Sequence, residues 1–235
     1  MAISNAAAAS PRALDLALRT LRLFFRHGWL KGVGTTAFTW SFFVAYFYLL
    51  RHPHGPVTIM PMTPVDRWIG LQPWTLPFYL SLWVYVSLPG SLMATRREFV
   101  AYGLRIGTLC LIGLGIFYVW PTEVPPYRTD WALHPAFDIL HGADAAGNAC
   151  PSLHVATAVF AAFWLDRMAP SLGFGNRMRY FNASWCALIV FSTMATKQHV
   201  LVDVICGVAL GLVVAWATRP RASSRWGPLA APADE

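Results

Sequence analysis

The feature that most restricts how this chain can fold is a series of six long apolar segments that contain very few charges. They lie near residues 33–50, 74–95, 100–120, 152–168, 181–197 and 199–218. Several approach the ~20 residues that an α-helix needs to cross a bilayer. The fourth and fifth segments are short for a span and Pro77 and Pro89 interrupt the second, but a membrane bundle tolerates both features. We therefore predict an all-α polytopic bundle of six transmembrane helices over residues 33–218.

The composition supports a membrane protein. Of the 235 residues, 56% are hydrophobic and 12% are charged, whereas a soluble domain carries about a quarter charged residues. The net charge of +7 is compatible with nucleic-acid binding, but the basic residues stand at the ends of apolar segments rather than in a polar patch. We therefore expect a lipid bilayer as the partner and no nucleic acid.

The segment before the first apolar run, residues 1–32, is predicted to contain an amphipathic helix. Apolar side chains follow one face and arginines mostly follow the other: Leu14, Leu18, Leu21, Phe25 and Leu30 against Arg19, Arg22 and Arg26. This pattern is typical of a helix that lies in the membrane interface. A solvated cytoplasmic helix is the alternative. We expect the segment to be retained, because its first apolar run begins too late for a cleaved signal peptide.

The basic residues also predict an orientation. One set of loops and termini carries Arg12, Arg19, Arg22, Arg26, Lys31, Arg96, Arg97, Arg167, Arg177, Arg179, Arg219, Arg221 and Arg225, and the other set keeps Arg51, Arg67, Arg128 and Lys197. Because the basic side of a membrane protein faces the cytoplasm, we predict that both termini are cytoplasmic, including the tail at 219–235. The protein would be integral to the cell (inner) membrane, with its polar motifs on the outer (periplasmic) side.

The first of these motifs is Pro151-Ser152-Leu153-His154, at the start of the fourth apolar segment. We expect Pro151 in the first turn of a helix, where its missing N–H would have no helical partner. A helix start offers backbone N–H groups and the positive end of a dipole, which suit a phosphate. Ser152 can add a hydroxyl donor, and His154 is close enough to share the ligand.

The second motif spans Ser192, His199 and Asp203. His199 and Asp203 are four residues apart, so they share a face of a helix. A carboxylate that holds one ring nitrogen frees the other to attack or to take a proton. Lys197 can hold an anionic group, and two histidines can divide the roles of nucleophile and general acid. Each motif alone is typical of an interfacial polar group, but together on adjacent helix ends they indicate a catalytic site.

The two motifs, in a six-span chain, resemble the type-2 phosphatidic acid phosphatase (lipid phosphate phosphatase) superfamily. The resemblance implies a two-step phosphoryl transfer that needs no metal and no cofactor. It assigns His199 as the nucleophile that becomes phosphohistidine and Asp203 as its positioning group. His154 would protonate the leaving oxygen and Ser152 would bind phosphate. The donor would be a membrane lipid phosphate, and the acceptor would be water in a phosphatase or a lipid alcohol in a transferase.

Residues 62–73, followed by Tyr79, and residues 192–199 resemble the inositol phosphorylceramide synthase branch of that superfamily. The superfamily's first motif, Lys-x6-Arg-Pro, is missing, because Lys31 and Lys197 are the only lysines and neither has Arg-Pro at that distance. Thr193 stands where an arginine is usual. Loss of the first motif is familiar in the sphingolipid transferase branch. We expect Lys197, Arg128 and Arg67 to meet the phosphate charge instead.

The sequence therefore predicts a lipid phosphatase acting on a lipid phosphate, pyrophosphate or phosphodiester. An inositol phosphorylceramide synthase-like phosphotransferase, and a non-catalytic transporter or scaffold, remain alternatives.

Three smaller patterns leave alternatives open. His134, Asp138, His141 and Asp144 can imitate a metal site, but a helix lying on the surface explains them as well. Asp66 and Arg67 either reach the active site from the first outer loop or form a surface ion pair. Gly207 and Gly211 form a GxxxG pattern, which indicates close helix packing or is incidental.

Overall fold

The protein is mostly helical, as the sequence predicts. The computed structural model describes residues 11–127, 135–137 and 147–220, and 75% of the structure is helix. The α-helices of the described part are α1 (Pro11–Phe25), α2 (Gly28–Arg51), α3 (Pro64–Trp68), α4 (Leu76–Ser91), α5 (Arg96–Val119), α6 (Leu153–Leu172), α7 (Asn176–Ala195) and α8 (Leu201–Ala217). Short 3-10 turns occupy Pro73–Thr75 and Pro135–Phe137, and two strands, β1 (Thr58–Ile59) and β2 (Thr122–Glu123), complete the elements.

Each of the six predicted apolar segments forms one α-helix over most of its length: α2, α4, α5, α6, α7 and α8. Among the described residues, α2 and α5 are long and apolar enough to cross a membrane, and α8 is apolar but shorter. The segment predicted at 74–95 forms a shorter helix than expected, because Pro73–Thr75 makes a separate turn and α4 ends at Ser91. The number of spans stays a prediction.

The first long helix begins earlier than the apolar pattern suggests. The chain turns at His27, whose backbone is left-handed (φ 57), and α2 starts at Gly28 rather than near residue 33. Lys31, in the first turn of α2, is buried and donates from Nζ to the carbonyl oxygens of Leu23 and Ser91, each at 2.7 Å. These two bonds hold the last turn of α1 against the end of α4.

Helix α1 exposes the apolar face that the sequence predicts. Leu14, Leu18, Leu21 and Phe25 are between 44% and 71% exposed. On the polar side, Arg19 pairs with Asp15 at 2.8 Å. An exposed apolar face opposite an ion pair fits a helix lying on a bilayer, and that location stays a prediction.

Helix α6 forms the centre of the bundle and packs against α4, α5, α7 and α8. Ala156, Ala158, Phe160 and Ala161 on this helix have no exposed surface. The outer faces of α2, α5 and α8 are apolar and open. Each of the following side chains is at least 60% exposed: Trp40, Leu104, Leu111, Val213 and Trp216. Soluble monomers rarely expose apolar surface on this scale, so the distribution fits a lipid environment.

The GxxxG pattern brings α8 into backbone contact with α6. A Cβ atom added at Gly207 would lie 2.5 Å from the carbonyl oxygen of Ser152, and one at Gly211 would lie 2.6 Å from that of Ala156. Neither position has room for any side chain. Close helix packing is therefore confirmed, and the glycines are not incidental.

Short polar contacts join the loops at the end of the bundle where α6 begins, which we call the site end. Strand β1 pairs with β2 in parallel, with Thr58 opposite Thr122, and Glu123 bridges to Gly147. Asn148 is buried and donates from Nδ2 to the carbonyl oxygen of Tyr46 at 3.0 Å. These contacts fix the approach of the chain to α6.

Candidate active site

Ser152 forms the N-cap of α6. Its side-chain oxygen accepts a hydrogen bond from the N–H of Val155 at 3.2 Å, and its own N–H donates to the carbonyl oxygen of Asp203 at 3.1 Å. The helix begins at Leu153, so Pro151 precedes the cap and does not occupy the first turn as predicted. The reason is that serine can cap the free N–H groups of the first turn and proline cannot.

The loop between α7 and α8 presents His199. Lys197 adopts a left-handed backbone (φ 64), and the N–H groups of Gln198 and His199 both donate to the carbonyl oxygen of Thr193 at 3.0 Å. This tight turn reverses the chain just before α8. His199 is left 7% exposed at the site end, directly beside the start of α6.

Asp203 is fully buried, and its carboxylate lies close to Val200 and His199. Its Oδ2 accepts from the N–H of Val200 at 3.0 Å, which caps the helix. The same oxygen lies 3.5 Å from Nδ1 of His199. That separation falls within ion-pair range but exceeds an ordinary hydrogen bond, and within the described residues neither His199 Nδ1 nor Asp203 Oδ1 has a hydrogen-bond partner. The carboxylate is thus placed to orient the ring without being tightly bonded to it.

The two histidines meet although 45 positions separate them in sequence. Nδ1 of His154 lies 3.3 Å from Nε2 of His199, and Nε2 of His154 lies 3.1 Å from the hydroxyl of Tyr79. Asp203, His199, His154 and Tyr79 therefore form a continuous row of polar groups. Such a row can hold a proton at defined atoms and direct one nitrogen of each ring to a ligand.

Lys197 provides the positive charge beside His199. Its Nζ donates to the carbonyl oxygens of Ile69 and of Asp66, the latter at 3.2 Å, and lies 4.8 Å from the ring centre of Tyr127. Burial lowers the pKa of Lys197, and the charge of Asp66 opposes that shift. An ammonium group has three N–H donors, so one remains for a ligand after the two carbonyl bonds.

Asp66 reaches the candidate site from the segment between α2 and α4, the first of the two alternatives for this residue. Its carboxylate is buried; Oδ2 accepts from the N–H and hydroxyl of Thr63, both at 2.7 Å, and Oδ1 accepts from the N–H of Leu201 at 2.7 Å. It thereby fastens α3 to the first residue of α8, two positions beyond His199. Arg67 is exposed on the same short helix and does not share these bonds.

Replacing Asp66 with asparagine should destabilise the protein by about 1–3 kcal/mol, because one or more of three donors would face an amide nitrogen that cannot accept. Thermal unfolding in a fixed detergent measures the loss. Asp15→Asn makes the same chemical change in an exposed ion pair and should alter stability little. Equal unfolding temperatures for the two variants would contradict the proposal that Asp66 stabilises the contact between α3 and α8.

The space that the described residues leave beside His199 is small. It measures about 20 Å³ and is lined by Lys197, His199, Asp66 and Tyr127 among others. A cavity of this size holds about one water molecule. The two histidine rings are also close, and any group placed between Nε2 of His199 and Nδ1 of His154, which are 3.3 Å apart, would have to separate them.

The predicted site residues fall into three groups. His154, His199, Asp203 and Lys197 come together, with Ser152 joined to Asp203 through its backbone. Arg67 is exposed on α3. Arg128 lies outside the described residues, as do His134, Asp138, His141 and Asp144. Within the described part of the chain, no group of three or more potential ligands could hold a metal ion.

Tyr79 is the site residue that the sequence prediction omitted. It is 2% exposed and lies within the first turns of α4, well away in sequence from both histidine motifs. Its one signal is that it follows the segment at 62–73 that resembles the inositol phosphorylceramide synthase branch. That signal gives no role, because the contact with His154 depends on how α4 packs against α6.

A helical bundle with open apolar faces, and with two histidines, a carboxylate and a lysine close together at one end, is typical of membrane-associated proteins that handle phosphate groups. The sequence model of the PAP2 superfamily matches residues 99–226, more than half of the chain, and the protein belongs to that superfamily. PAP2 proteins are in general membrane phosphatases or phosphotransferases that act on lipid phosphates. Neither the curated proteins nor the solved structures gave a match. The predicted superfamily is thus confirmed, while the inositol phosphorylceramide synthase-like branch stays a prediction.

Proposed function

We propose that this protein is an integral membrane lipid phosphatase that works through a phosphohistidine at His199. The observation that carries the proposal is the row Asp203–His199–His154, with successive separations of 3.5 Å and 3.3 Å between reacting or orienting atoms. A nucleophile, a group that orients it and an acid within reach are the parts that covalent phosphoryl transfer requires.

In the first step, Nε2 of His199 attacks phosphorus, an N–P bond forms, and the P–O bond to the lipid breaks. His154, as the imidazolium, donates its Nδ1 proton to the leaving oxygen, which departs as an alcohol, and His154 becomes neutral. In the second step, His154 takes a proton from water, whose oxygen attacks phosphorus and releases phosphate from His199. Asp203 stabilises the charge on the His199 ring throughout, because it lies at the opposite nitrogen.

The phosphate charge needs partners, since the Lys-x6-Arg-Pro motif is missing. Lys197 is the best placed, with one N–H left for a ligand and His199 lining the same cavity. The hydroxyl of Ser152, and the guanidinium groups of Arg67 and Arg128, are further candidates that would act once substrate separates the two rings.

The donor lipid would enter sideways from the bilayer. The open apolar faces of α2, α5 and α8 support this route, because they leave the bundle exposed to lipid close to the site end. We propose the cell (inner) membrane, with both termini in the cytoplasm and the site on the periplasmic side, on the basis of the basic residues in the loops.

Purified protein in detergent should release phosphate from a lipid phosphate monoester in the presence of EDTA. Release that needs added divalent metal would contradict the proposed mechanism and revive the cluster at residues 134–144. If no monoester, pyrophosphate or diester donor loses phosphate, the non-catalytic transporter or scaffold is the better description.

A phosphotransferase is the second candidate, and one observation favours it. The segment resembling the inositol phosphorylceramide synthase branch contacts both histidine motifs, through Asp66 and Leu201 and through Tyr79 and His154. A donor labelled in its phosphate, offered with and without a ceramide acceptor, separates the two functions. Label in inorganic phosphate supports the phosphatase, and label in a new lipid only when ceramide is present supports the transferase.

A further inference from the structure

Tyr79 contacts the face of His154 that points away from His199. Its hydroxyl lies 3.1 Å from Nε2 of His154, and the two ring centres are 5.2 Å apart. Tyr79 is 2% exposed, so its hydroxyl has little competition from bulk water. The contact joins α4 to the first turn of α6, and it extends the row that starts at Asp203.

The protons along the row determine which atom is the donor and which is the acceptor in the contact between Tyr79 and His154. Asp203 faces Nδ1 of His199, so that nitrogen carries the proton and Nε2 offers its lone pair. Nδ1 of His154 faces that lone pair and must therefore carry a proton itself. A general acid that becomes neutral on giving up its proton starts as the imidazolium, so Nε2 of His154 carries the second proton and donates it to the Tyr79 hydroxyl oxygen.

We propose that Tyr79 is a positioning residue that keeps the transferable proton of His154 on Nδ1, the nitrogen that faces the reacting phosphorus. This inference rests on the proposed function. Tyr79 gives up no proton. Its oxygen accepts from Nε2–H, which orients the ring so that Nδ1–H can reach the leaving oxygen and keeps the remaining proton of the neutral ring on Nε2.

The effect of losing the Tyr79 hydroxyl on the reaction rate depends on the leaving group of the donor. An alkoxide needs a proton as it departs, so its release requires a correctly oriented acid, whereas a nitrophenolate departs without one. A change that disturbs only the proton of His154 should therefore slow alkyl donors and spare aryl donors. A change that merely loosens the fold should slow both.

Tyr79→Phe, which keeps the ring and removes the hydroxyl, tests the inference. We expect kcat/KM for dioctanoyl phosphatidic acid to fall about tenfold, the worth of one ordinary hydrogen bond, and kcat/KM for para-nitrophenyl phosphate to stay unchanged. The ratio of the kcat/KM values for the two donors reports the step in which the leaving group departs. The matched control is Tyr85→Phe on the same helix, whose hydroxyl bonds to Asn182 Oδ1 at 2.7 Å, and it should behave as wild type with both donors.

A second comparison tests whether Tyr79 acts through His154. In a His154→Ala background, Tyr79→Phe should cause no further loss with the alkyl donor. Equal losses with both donors, no loss with the alkyl donor, or additive losses in the double variant would each overturn the inference. Wild-type protein that is inactive with both donors would instead refute the proposed function.

Discussion

Replacement of His199 with alanine should abolish phosphate release, by at least about a thousandfold, because no other group in a covalent mechanism substitutes for the nucleophile. The described structure supports this expectation through geometry. Nε2 of His199 faces His154 across 3.3 Å, and its other nitrogen faces the buried Asp203. Alanine removes both nitrogens and leaves Asp203 with its cap to Val200 intact. The variant should therefore fold and remain inactive.

The same variant distinguishes covalent from direct transfer. Wild-type protein quenched during turnover with labelled donor should carry label in a bond that is labile to acid and stable to base, as expected for phosphorus bound to an imidazole nitrogen. His199→Ala should carry none. His154→Ala should still acquire label from para-nitrophenyl phosphate, because that leaving group departs without an acid.

His52→Ala is the matched control for His199. His52 is exposed beyond the end of α2, where its Nδ1 bonds to the carbonyl oxygen of Tyr48 at 3.0 Å. We expect wild-type release and wild-type labelling from it. Full activity of His199→Ala, or label retained on that variant, would contradict the assignment of the nucleophile.

The helices of this protein can be predicted from the sequence, because a helix that is buried in lipid or in a protein core needs a continuous apolar surface. Each of the six apolar segments forms a helix over most of its length. Pro77 falls in the first turn of α4, where a missing N–H costs nothing. The ends are less readable. The start of α2 at Gly28 depends on Lys31 bonding to the ends of α1 and α4, and those contacts form only in the folded bundle.

The active site can be predicted from the sequence where its residues are close to one another in the chain. The spacing of His199 and Asp203 places both at the start of one helix, and the structure brings them to 3.5 Å. The meeting of His154 and His199 instead depends on how α6 packs against α8, and the sequence indicated it only through the place of both motifs on adjacent helix ends. Tyr79 and Asp66 belong to other elements, so their contacts with the site depend on packing that no local pattern specifies.

Gly207→Ala should lower the stability of the protein more than the addition of a single methyl group suggests, because that methyl group meets backbone atoms. The new Cβ would lie 2.5 Å from the carbonyl oxygen of Ser152 and 3.0 Å from Cβ of Val155. Backbone cannot rotate away as a side chain can, so α6 and α8 have to separate. Overpacking of this kind costs about 1–3 kcal/mol, which should lower the unfolding temperature measured in detergent.

Gly207→Ala should also reduce catalytic activity, and that loss should be larger than the loss of stability alone would cause. Ser152 immediately precedes the turn that carries His154, and its N–H bonds to the carbonyl oxygen of Asp203 at 3.1 Å. Separation of the two helices at this level increases the distance between the histidines. A displacement of about 1 Å in a catalytic group can cost about a hundredfold in rate, so we expect a loss of that order in kcat/KM for a lipid phosphate.

Two other glycines provide controls that separate packing from catalysis. Gly115 on α5 has nothing within 4 Å of an added Cβ, so Gly115→Ala should stabilise the helix slightly, since alanine is the better helix former. Gly211→Ala meets the carbonyl oxygen of Ala156 at 2.6 Å, one turn further from the histidines. It should cost stability as Gly207→Ala does but retain more activity. If Gly207→Ala is as stable and active as Gly115→Ala, the two helices do not meet at backbone distance, and the placement of His154 beside His199 has to be explained by other contacts.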